Sequence, residues 1–330
     1  MSVSPSPAAR SIRWILPILC LAAAGFLPFL TGPYPLAVAR SVLTYMALAM
    51  SWDLLLRSGQ ISFGIAGFFG IGAYAAALSA LHAGFSPIAS ILAAGVIAAA
   101  AACILGFVIL RLRAVYFAIT TLALAEIFRV IMQNGAEVSG GPEGLIMPGL
   151  IFNGEAKALY WTSLAAVVLA GLVSAFFQRS RVRFALTAIR NNELAARSSG
   201  IRTFTWLLVA FVASSFIQGL VGGIQLQGYG FVSPDSVFDS YYTLLPLAMA
   251  LLGGTYSTAG PVLGALLLGV SAEYLKLRIP YGHLVVYGII IVLVILLMPQ
   301  GLYGVYRARV KAAAGIRRRA TAGARGGGHG

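Results

Sequence analysis

Ionisable side chains lie within apolar stretches of this sequence, at spacings that allow them to pair. Glu126 and Arg129 are three residues apart in one apolar run, and Asp53 and Arg57 are four residues apart in another. Residues three and four apart share one face of a helix, so we predict a structural ion pair in each case. The alternative for Glu126 and Arg129 is contact with a polar substrate, because ionisable groups inside a membrane usually face the bundle interior or water.

Two glycine-rich segments, residues 58–74 and 251–261, interrupt the apolar runs. Small residues allow helices to pack closely, and glycine-interrupted spans also build the substrate paths of transporters, where the positive N-terminus of a half-helix attracts an anionic group. Close packing and a substrate path are therefore both open interpretations. The candidate substrate-path residues are Gln60, Ser62, Gly64 and Gly260. The similarity of the two segments suggests an internal repeat.

A basic loop at residues 178–203 contains a short amphipathic pattern, which predicts a helix over residues 185–197. Leu186 and Ile189 share one face, and Arg190 and Glu193 follow on the next turns. Glu193 and Arg197 are four residues apart, so we predict an ion pair between them. Such a helix can insert into a groove of another protein. By its pattern alone it could also lie on the membrane surface.

The sequence contains no recognisable catalytic or metal-binding set, so we predict no enzyme activity, no cofactor and no metal. It lacks the Gly-x-x-x-x-Gly-Lys-Ser/Thr loop that binds phosphate, so a partner must supply any ATP hydrolysis. Its 3 histidines are scattered, and its 2 cysteines lie in apolar runs. The formal net charge is +14, but the basic residues lie in short loops and tails between apolar runs, which argues against a nucleic-acid partner.

The elements that must position these residues are membrane-spanning helices. Hydrophobic residues make up 59% of the 330 residues and charged residues only 10%, with a mean hydropathy of +0.90; a soluble domain carries about 25% charged residues. We predict an all-α integral membrane protein, because long apolar runs without alternation satisfy their backbone in lipid only as helices. The expected spans, about ten, are roughly residues 14–30, 36–56, 61–81, 87–110, 115–133, 159–177, 204–227, 242–254, 260–275 and 283–298.

The distribution of lysine and arginine predicts the orientation of the bundle. With ten spans and a cytoplasmic N-terminus, most basic residues fall on the cytoplasmic side, as the positive-inside rule requires. Both termini are then cytoplasmic. We divide the chain into a transmembrane domain, residues 1–305, and a basic tail, residues 306–330, whose composition predicts disorder.

Several segments resemble the permeases of bacterial ABC importers for branched-chain amino acids, in particular the LivM-type subunit of this binding-protein-dependent family. The resemblance runs in a consistent order from about residue 40 to residue 305. The segments that carry it are residues 59–64 (GQISFG), 70–74 (GIGAY), 116–129, 140–144 (GGPEG), the loop at 179–201, residues 252–261 and 299–302 (PQGL).

This resemblance implies a transport subunit of the bacterial inner membrane. Its expected partners are a second homologous permease, two cytoplasmic ATP-binding subunits and a periplasmic substrate-binding protein. It implies that residues 185–197 couple the permease to the ATPase, with Leu186, Ile189, Arg190 and Glu193 as the contact residues. Two alternatives remain open, a urea or short-amide permease of the same architecture and an ion-coupled secondary transporter.

Overall fold

The computed structural model of the chain describes residues 7–304, except for residues 113, 148, 150–153, 180, 279–284, 287, 290–291 and 294–300. Most of the predicted tenth span and the whole predicted tail at 306–330 therefore lie outside the described residues. What is described is almost entirely helical, which confirms the prediction of an all-α protein. The exception is one pair of two-residue strands.

The described elements follow one another along the chain with short connections. The long helices are α1 (Pro7–Leu30), α2 (Pro33–Leu56), α3 (Ile65–Ala83), α4 (Pro87–Ile109), α5 (Val115–Asn134), α7 (Ala156–Arg179), α10 (Thr203–Tyr229), α12 (Tyr241–Gly253) and α13 (Ala259–Arg278). The short elements are α6 (Ala136–Ser139), the 3₁₀ turn η1 (Gly141–Glu143), β1 (Leu145–Ile146), α8 (Arg181–Asn191), α9 (Glu193–Ser198), β2 (Phe231–Val232) and α11 (Pro234–Val237).

The long helices coincide with the first nine predicted spans. Among the described residues, five helices are long and apolar enough to cross a membrane by length and composition alone, namely α3, α4, α5, α7 and α10. Local signals set several of their ends. Pro87 occupies the first turn of α4 after Ser86, whose hydroxyl accepts a hydrogen bond from Ala89 N at 3.4 Å. Gly84 ends α3 in the left-handed conformation, with φ at 62°.

The centre of the bundle is α10, which packs against α4, α3 and α2. Its approach to α3 is a backbone-to-backbone contact. A Cβ atom at Gly72 would overlap the carbonyl oxygen of Gly219, and one at Gly222 would overlap the carbonyl oxygen of Phe69. Glycine at these positions therefore brings the two helices close enough to pack main chain on main chain.

Two small structures mark the opposite ends of α10. The loops that follow α5 and α10 meet in the antiparallel pair β1–β2, where Leu145 lies opposite Val232 and Ile146 opposite Phe231. At the other end, α8 and α9 lead directly into the first turn of α10. The end of the bundle that carries α8 and α9 is called the α8–α9 end below.

Candidate functional site

Residues 58–64, which lead into α3 and contain three of the predicted substrate-path residues, are non-helical. Gln60, Ser62 and Gly64 are buried, whereas Gly59 and Ile61 between them are exposed. Phe63 N donates to Thr121 Oγ1 of α5 at 3.0 Å, and Ala66 N donates to Thr243 Oγ1 of α12 at 3.1 Å. Gly64 N donates to Ser62 Oγ at 3.1 Å. Neighbouring hydroxyl groups therefore already occupy these N–H groups, which we had expected to meet an anionic substrate group.

Gln60 differs from the other predicted path residues because one of its polar atoms is left unsatisfied. Its side chain is 7% exposed, and its Oε1 accepts no hydrogen bond from the residues that the structure describes. Burying such an oxygen without a partner costs about 1–3 kcal/mol. Of the three residues at the start of α3, Gln60 is the one with a free acceptor for a water molecule or a ligand.

Gly260, the fourth predicted path residue, lies where α12 meets α13. A Cβ atom at Gly260 would overlap the carbonyl oxygen of Gly254, and one at Gly253 would overlap the carbonyl oxygen of Gly260. Close packing explains these glycines. The structure does not bring Gly260 and Gly64 together. Gly260 meets α12 at Gly253, whereas Thr243 of α12 bonds Phe63 and Ala66 on either side of Gly64, and Gly253 and Thr243 lie roughly 15 Å apart along the helix.

The helix predicted over residues 185–197 is two helices, α8 and α9, separated at Asn192. This residue leaves the helical conformation (φ −161°, ψ 106°), and its side-chain Oδ1 accepts a hydrogen bond from Ala195 N at 3.0 Å. Asparagine is a preferred N-cap residue for this reason. Within α9 the expected ion pair forms, with Arg197 Nη2 at 2.7 Å from Glu193 Oε1.

The apolar face of α8 is turned into the bundle, contrary to the expectation that it would enter an ATPase groove. Leu186 is 1% exposed and Ile189 6% exposed, and both belong to the hydrophobic core of this chain. Burial of these side chains attaches α8 to the bundle. The apolar side chains that α8 and α9 leave exposed are Phe184, at 76%, and Leu194, at 65%.

Arg190 connects α8 to the loop between α12 and α13. Its guanidinium carbon lies 4.0 Å from the centroid of the Tyr256 ring, a cation–π contact. Gly59 lies against the same arginine, since a Cβ atom there would be 3.2 Å from Arg190 Cγ. Tyr256 has a positive φ of 61°, which is unusual for a bulky residue and needs support from its surroundings.

The backbone of Tyr256 provides part of that support by bonding to a buried carboxylate. Tyr256 N donates to Asp53 Oδ1 at 2.6 Å. Asp53 is fully buried and pairs with Arg57, whose Nε and Nη2 lie 2.9 and 2.7 Å from its Oδ2. Arg57 also donates to the carbonyl oxygen and the hydroxyl of Ser174 in α7, at 3.0 and 2.7 Å. The charges are thus paired and fully hydrogen-bonded, as buried charges must be.

These contacts form one continuous network at the α8–α9 end, from the exposed surface of α8 to the interior of the bundle. We call Arg190, Tyr256, Asp53, Arg57 and Ser174 the relay network. The sequence revealed the pair Asp53–Arg57 through its spacing. Tyr256 and Ser174 had no such signal, because both are far from Asp53 and Arg57 along the chain.

The predicted pair Glu126–Arg129 forms in the structure, but on the outside of the bundle. Arg129 Nε donates to Glu126 Oε1 at 3.1 Å, and Arg129 Nη1 lies 3.0 Å from Asp235 Oδ1 of α11. Gln133 Nε2 donates to the same Asp235 oxygen at 2.9 Å. A charged side chain at the centre of a bilayer costs about 2.5–3.5 kcal/mol even on the mildest scale, so this placement requires an explanation.

Within the described part of the chain, no group of three or more His, Cys, Asp or Glu side chains is arranged to hold a metal ion.

Apolar helices of membrane-spanning length, packed around α10, define an all-α polytopic membrane protein. A protein family described as "Branched-chain amino acid transport system / permease component" matches residues 34–295, and the chain belongs to this family. The high-affinity branched-chain amino acid transport system permease protein LivM of Escherichia coli K12 is similar to it, with 32% identity over 90% of this chain and 76% of the relative.

Two further relatives show how wide this similarity is. The high-affinity branched-chain amino acid transport system permease protein LivH of Escherichia coli K12 is 27% identical over 53% of this chain and 60% of its own length. The L-arabinose transport system permease protein AraH of the same organism is 28% identical over 56% of this chain and 58% of its own length. These relatives are all permease proteins of transport systems.

Proposed function

We propose that this chain is the membrane-spanning permease subunit of an ATP-driven importer for branched-chain amino acids. It forms the translocation path together with a second homologous permease, and two ATP-binding subunits attach on the cytoplasmic side. A periplasmic binding protein delivers the substrate. The membership in the permease family and the names of LivM and LivH support both the substrate class and the pairing of two permeases.

The observation that carries the proposal is the relay network, because it connects a surface suited to an ATPase with the interior of the bundle. Phe184 and Leu194 are exposed apolar side chains on short helices between two long ones. A hydrophobic side chain that enters a groove is a common anchor of protein–protein contacts. We therefore assign the ATPase contact to Phe184 and Leu194, with Glu193 beside them, and assign Leu186 and Ile189 to holding α8 on the bundle.

In this mechanism the relay network transmits the movement of the ATPase. ATP binding closes the ATPase dimer and displaces α8 and α9. Arg190 moves Tyr256 with it, and the hydrogen bond from Tyr256 N to Asp53 passes the displacement to α2, while Arg57 passes it to Ser174 of α7. Gln60 lies next to Gly59, which contacts Arg190, so a change at α8 also reaches the start of α3. Alternating access follows from such rigid displacements of packed helices.

The proposed topology is about ten spans with both termini in the cytoplasm of a bacterial inner membrane. Basic residues in α8 and α9 support a cytoplasmic position for the α8–α9 end. The β1–β2 pair would then face the periplasm. The internal repeat would relate residues 58–64 and 254–258, which are both short non-helical segments that precede a long helix. The division into a permease domain at 1–305 and a cytoplasmic tail at 306–330 completes the proposal.

The experiment that tests this function is uptake by the complete complex in proteoliposomes. The chain is co-expressed with the second permease, the ATPase subunits and the binding protein, and uptake of leucine, isoleucine and valine is measured with ATP on the ATPase side. A catalytically inactive ATPase is the control. We expect uptake to require ATP hydrolysis. We also expect that an excess of urea, acetamide or arabinose does not reduce it. Uptake that persists with the inactive ATPase and stops with a protonophore would instead identify a secondary transporter.

A further inference from the structure

The helix α5 presents charged side chains on the outside of the bundle, close to the middle of its length. The side chain of Glu126 is 57% exposed and that of Arg129 is 36% exposed. Glu126 comes eleven residues after Val115, the first residue of α5, so a rise of 1.5 Å per residue puts it roughly 16 Å along a helix of about 30 Å. Glu126 therefore lies near the middle of α5, and Arg129 lies about 5 Å further toward the Asn134 end.

The neighbouring helix α4 shows what a lipid-facing surface of this protein looks like. Like α5, it is largely exposed in the isolated chain. Its exposed side chains include Leu92, Val96, Ile104 and Phe107, and its 23 residues contain no Asp, Glu, Lys, Arg or His. Exposed apolar side chains such as Ile127 and Val130 also occur on α5, so the difference from α4 is confined to the strip of α5 that carries Glu126 and Arg129.

One side of α5 is occupied by this chain itself. Phe117, Thr121 and Ala125 are buried against the bundle, and α5 packs mainly on α3. Glu126, Arg129 and Gln133 follow one another at spacings of three and four residues on a different side of the helix. Charged groups that remain exposed on that side need water or protein around them, and the second permease of the proposed function supplies such a surface.

The atoms of this cluster are only partly used by one another. Glu126 Oε1 accepts from Arg129 Nε at 3.1 Å and from Arg129 Nη2, while Asp235 Oδ1 lies 3.0 Å from Arg129 Nη1. A guanidinium has five N–H groups, so two remain. Glu126 Oε2 and Asp235 Oδ2 accept no hydrogen bond from the described residues. The cluster therefore offers both free carboxylate oxygens and free guanidinium donors.

We propose that Glu126, Arg129 and Asp235 form a charged station in the water-filled path between this chain and the second permease, and that a small zwitterion binds there. The substrate ammonium group bonds to the free carboxylate oxygens, and its carboxylate accepts from the two remaining N–H groups of Arg129. The existing ion pairs must loosen before the substrate can bind, so the affinity of the cluster for the substrate is low. Low affinity allows the substrate to leave the site and continue along the path. This inference rests on the proposed function and names the groups that recognise the amino-acid backbone.

Cysteine labelling of the assembled complex tests whether water reaches this surface. In a chain whose Cys20 and Cys103 are replaced by serine, Leu122→Cys puts a thiol one turn from Glu126 on the exposed surface of α5. The matched control is Val96→Cys, which is 60% exposed on α4. We expect a charged methanethiosulfonate reagent to modify the first thiol and not the second, with leucine slowing the modification. A thiol at 122 that stays unmodified overturns the proposal, since the surface is then dry or faces lipid.

Uptake by charge-neutral variants tests the contact with substrate. Glu126→Gln should reduce leucine uptake at least tenfold and raise its apparent KM, while the complex still assembles and the binding protein still stimulates ATP hydrolysis. The control is Glu273→Gln. Glu273 also pairs with a basic residue three positions along its helix, Lys276, whose Nζ lies 3.1 Å from Glu273 Oε1. Wild-type uptake by Glu126→Gln refutes the station. Absence of ATP-dependent uptake by the wild-type complex refutes the proposed function instead, so the two failures are distinguishable.

Discussion

Replacing Tyr256 by leucine removes the aromatic face on which Arg190 rests and leaves the rest of the relay network in place. The backbone hydrogen bond from Tyr256 N to Asp53 Oδ1 at 2.6 Å does not depend on the side chain. Leucine is also as unfavourable as tyrosine at the positive φ of 61°, so the substitution does not change backbone strain. The variant therefore isolates one contact, the guanidinium over the ring at 4.0 Å.

The expected size of the effect follows from the position of this contact. Cation–π contacts contribute about 0.5–1 kcal/mol at exposed sites and about 2 kcal/mol when desolvated. Tyr256 is 47% exposed, which favours the lower values, so we take about 1 kcal/mol. Since 1.4 kcal/mol corresponds to a factor of ten, loss of the contact should shift the equilibrium between coupled and uncoupled positions of α8 roughly five-fold.

The assay is the ratio of leucine transported to ATP hydrolysed by the complete complex in proteoliposomes. We expect Tyr256→Leu to lower this ratio about five-fold, with normal assembly and an undiminished rate of ATP hydrolysis. Tyr256→Phe keeps the ring and should behave as wild type. A wild-type ratio for Tyr256→Leu would show that the Arg190–Tyr256 contact carries no coupling. A loss of assembly would show that the contact is structural.

Three further predictions concern assembly and stability. Phe184→Asp should abolish co-purification of the ATPase subunits while the permease remains folded in detergent, and retention of the ATPase would exclude Phe184 as the contact. Asp53→Ala should destabilise the permease by about 3–5 kcal/mol in reversible unfolding, because it leaves Arg57 buried without its partner, whereas the double variant with Arg57→Met should regain most of this loss. Gly72→Ala should lower the free energy of unfolding by about 1–3 kcal/mol, because it forces the backbones of α3 and α10 apart. Gly171→Ala should be neutral, because its Cβ atom would meet only Met50 Cε at 3.7 Å. Equal stability of the two alanine variants would contradict the close approach of α3 and α10.

Features that depend on neighbouring residues could be predicted from the sequence. Apolar runs located nine long helices, and spacings of three and four residues located the contacts Asp53–Arg57, Glu126–Arg129 and Glu193–Arg197. Both depend on the geometry of a single helix, which sequence spacing determines. The break between α8 and α9 also had a local signal, an asparagine directly before the first turn of α9.

Features that depend on how helices meet could not be predicted in this way. The spacing of Leu186 and Ile189 indicates that they share a face, but it does not indicate whether that face meets this chain or a partner. Similarly, Asp235 joins Arg129 from 106 residues away, and Tyr256 reaches Asp53 from 203 residues away. The position of a charged pair inside or outside the bundle likewise depends on the packing of other helices, and only the structure revealed it.

The glycine contacts between α3 and α10 also restrict where the bundle can change shape. Main chain packed on main chain at Gly72 and Gly222 has no side chains that could change rotamer to accommodate sliding, so α3 and α10 move as one rigid body. By contrast, the hydroxyl groups of Thr121 and Thr243 bind the start of α3 to α5 and α12. The main chain of α5 is less close, since a Cβ atom at Gly67 would lie 3.1 Å from Ala125 Cα. The contacts of α3 with α5 and with α12 can therefore exchange hydrogen bonds one at a time. We expect the shear motion of a transport cycle to occur along these two helices.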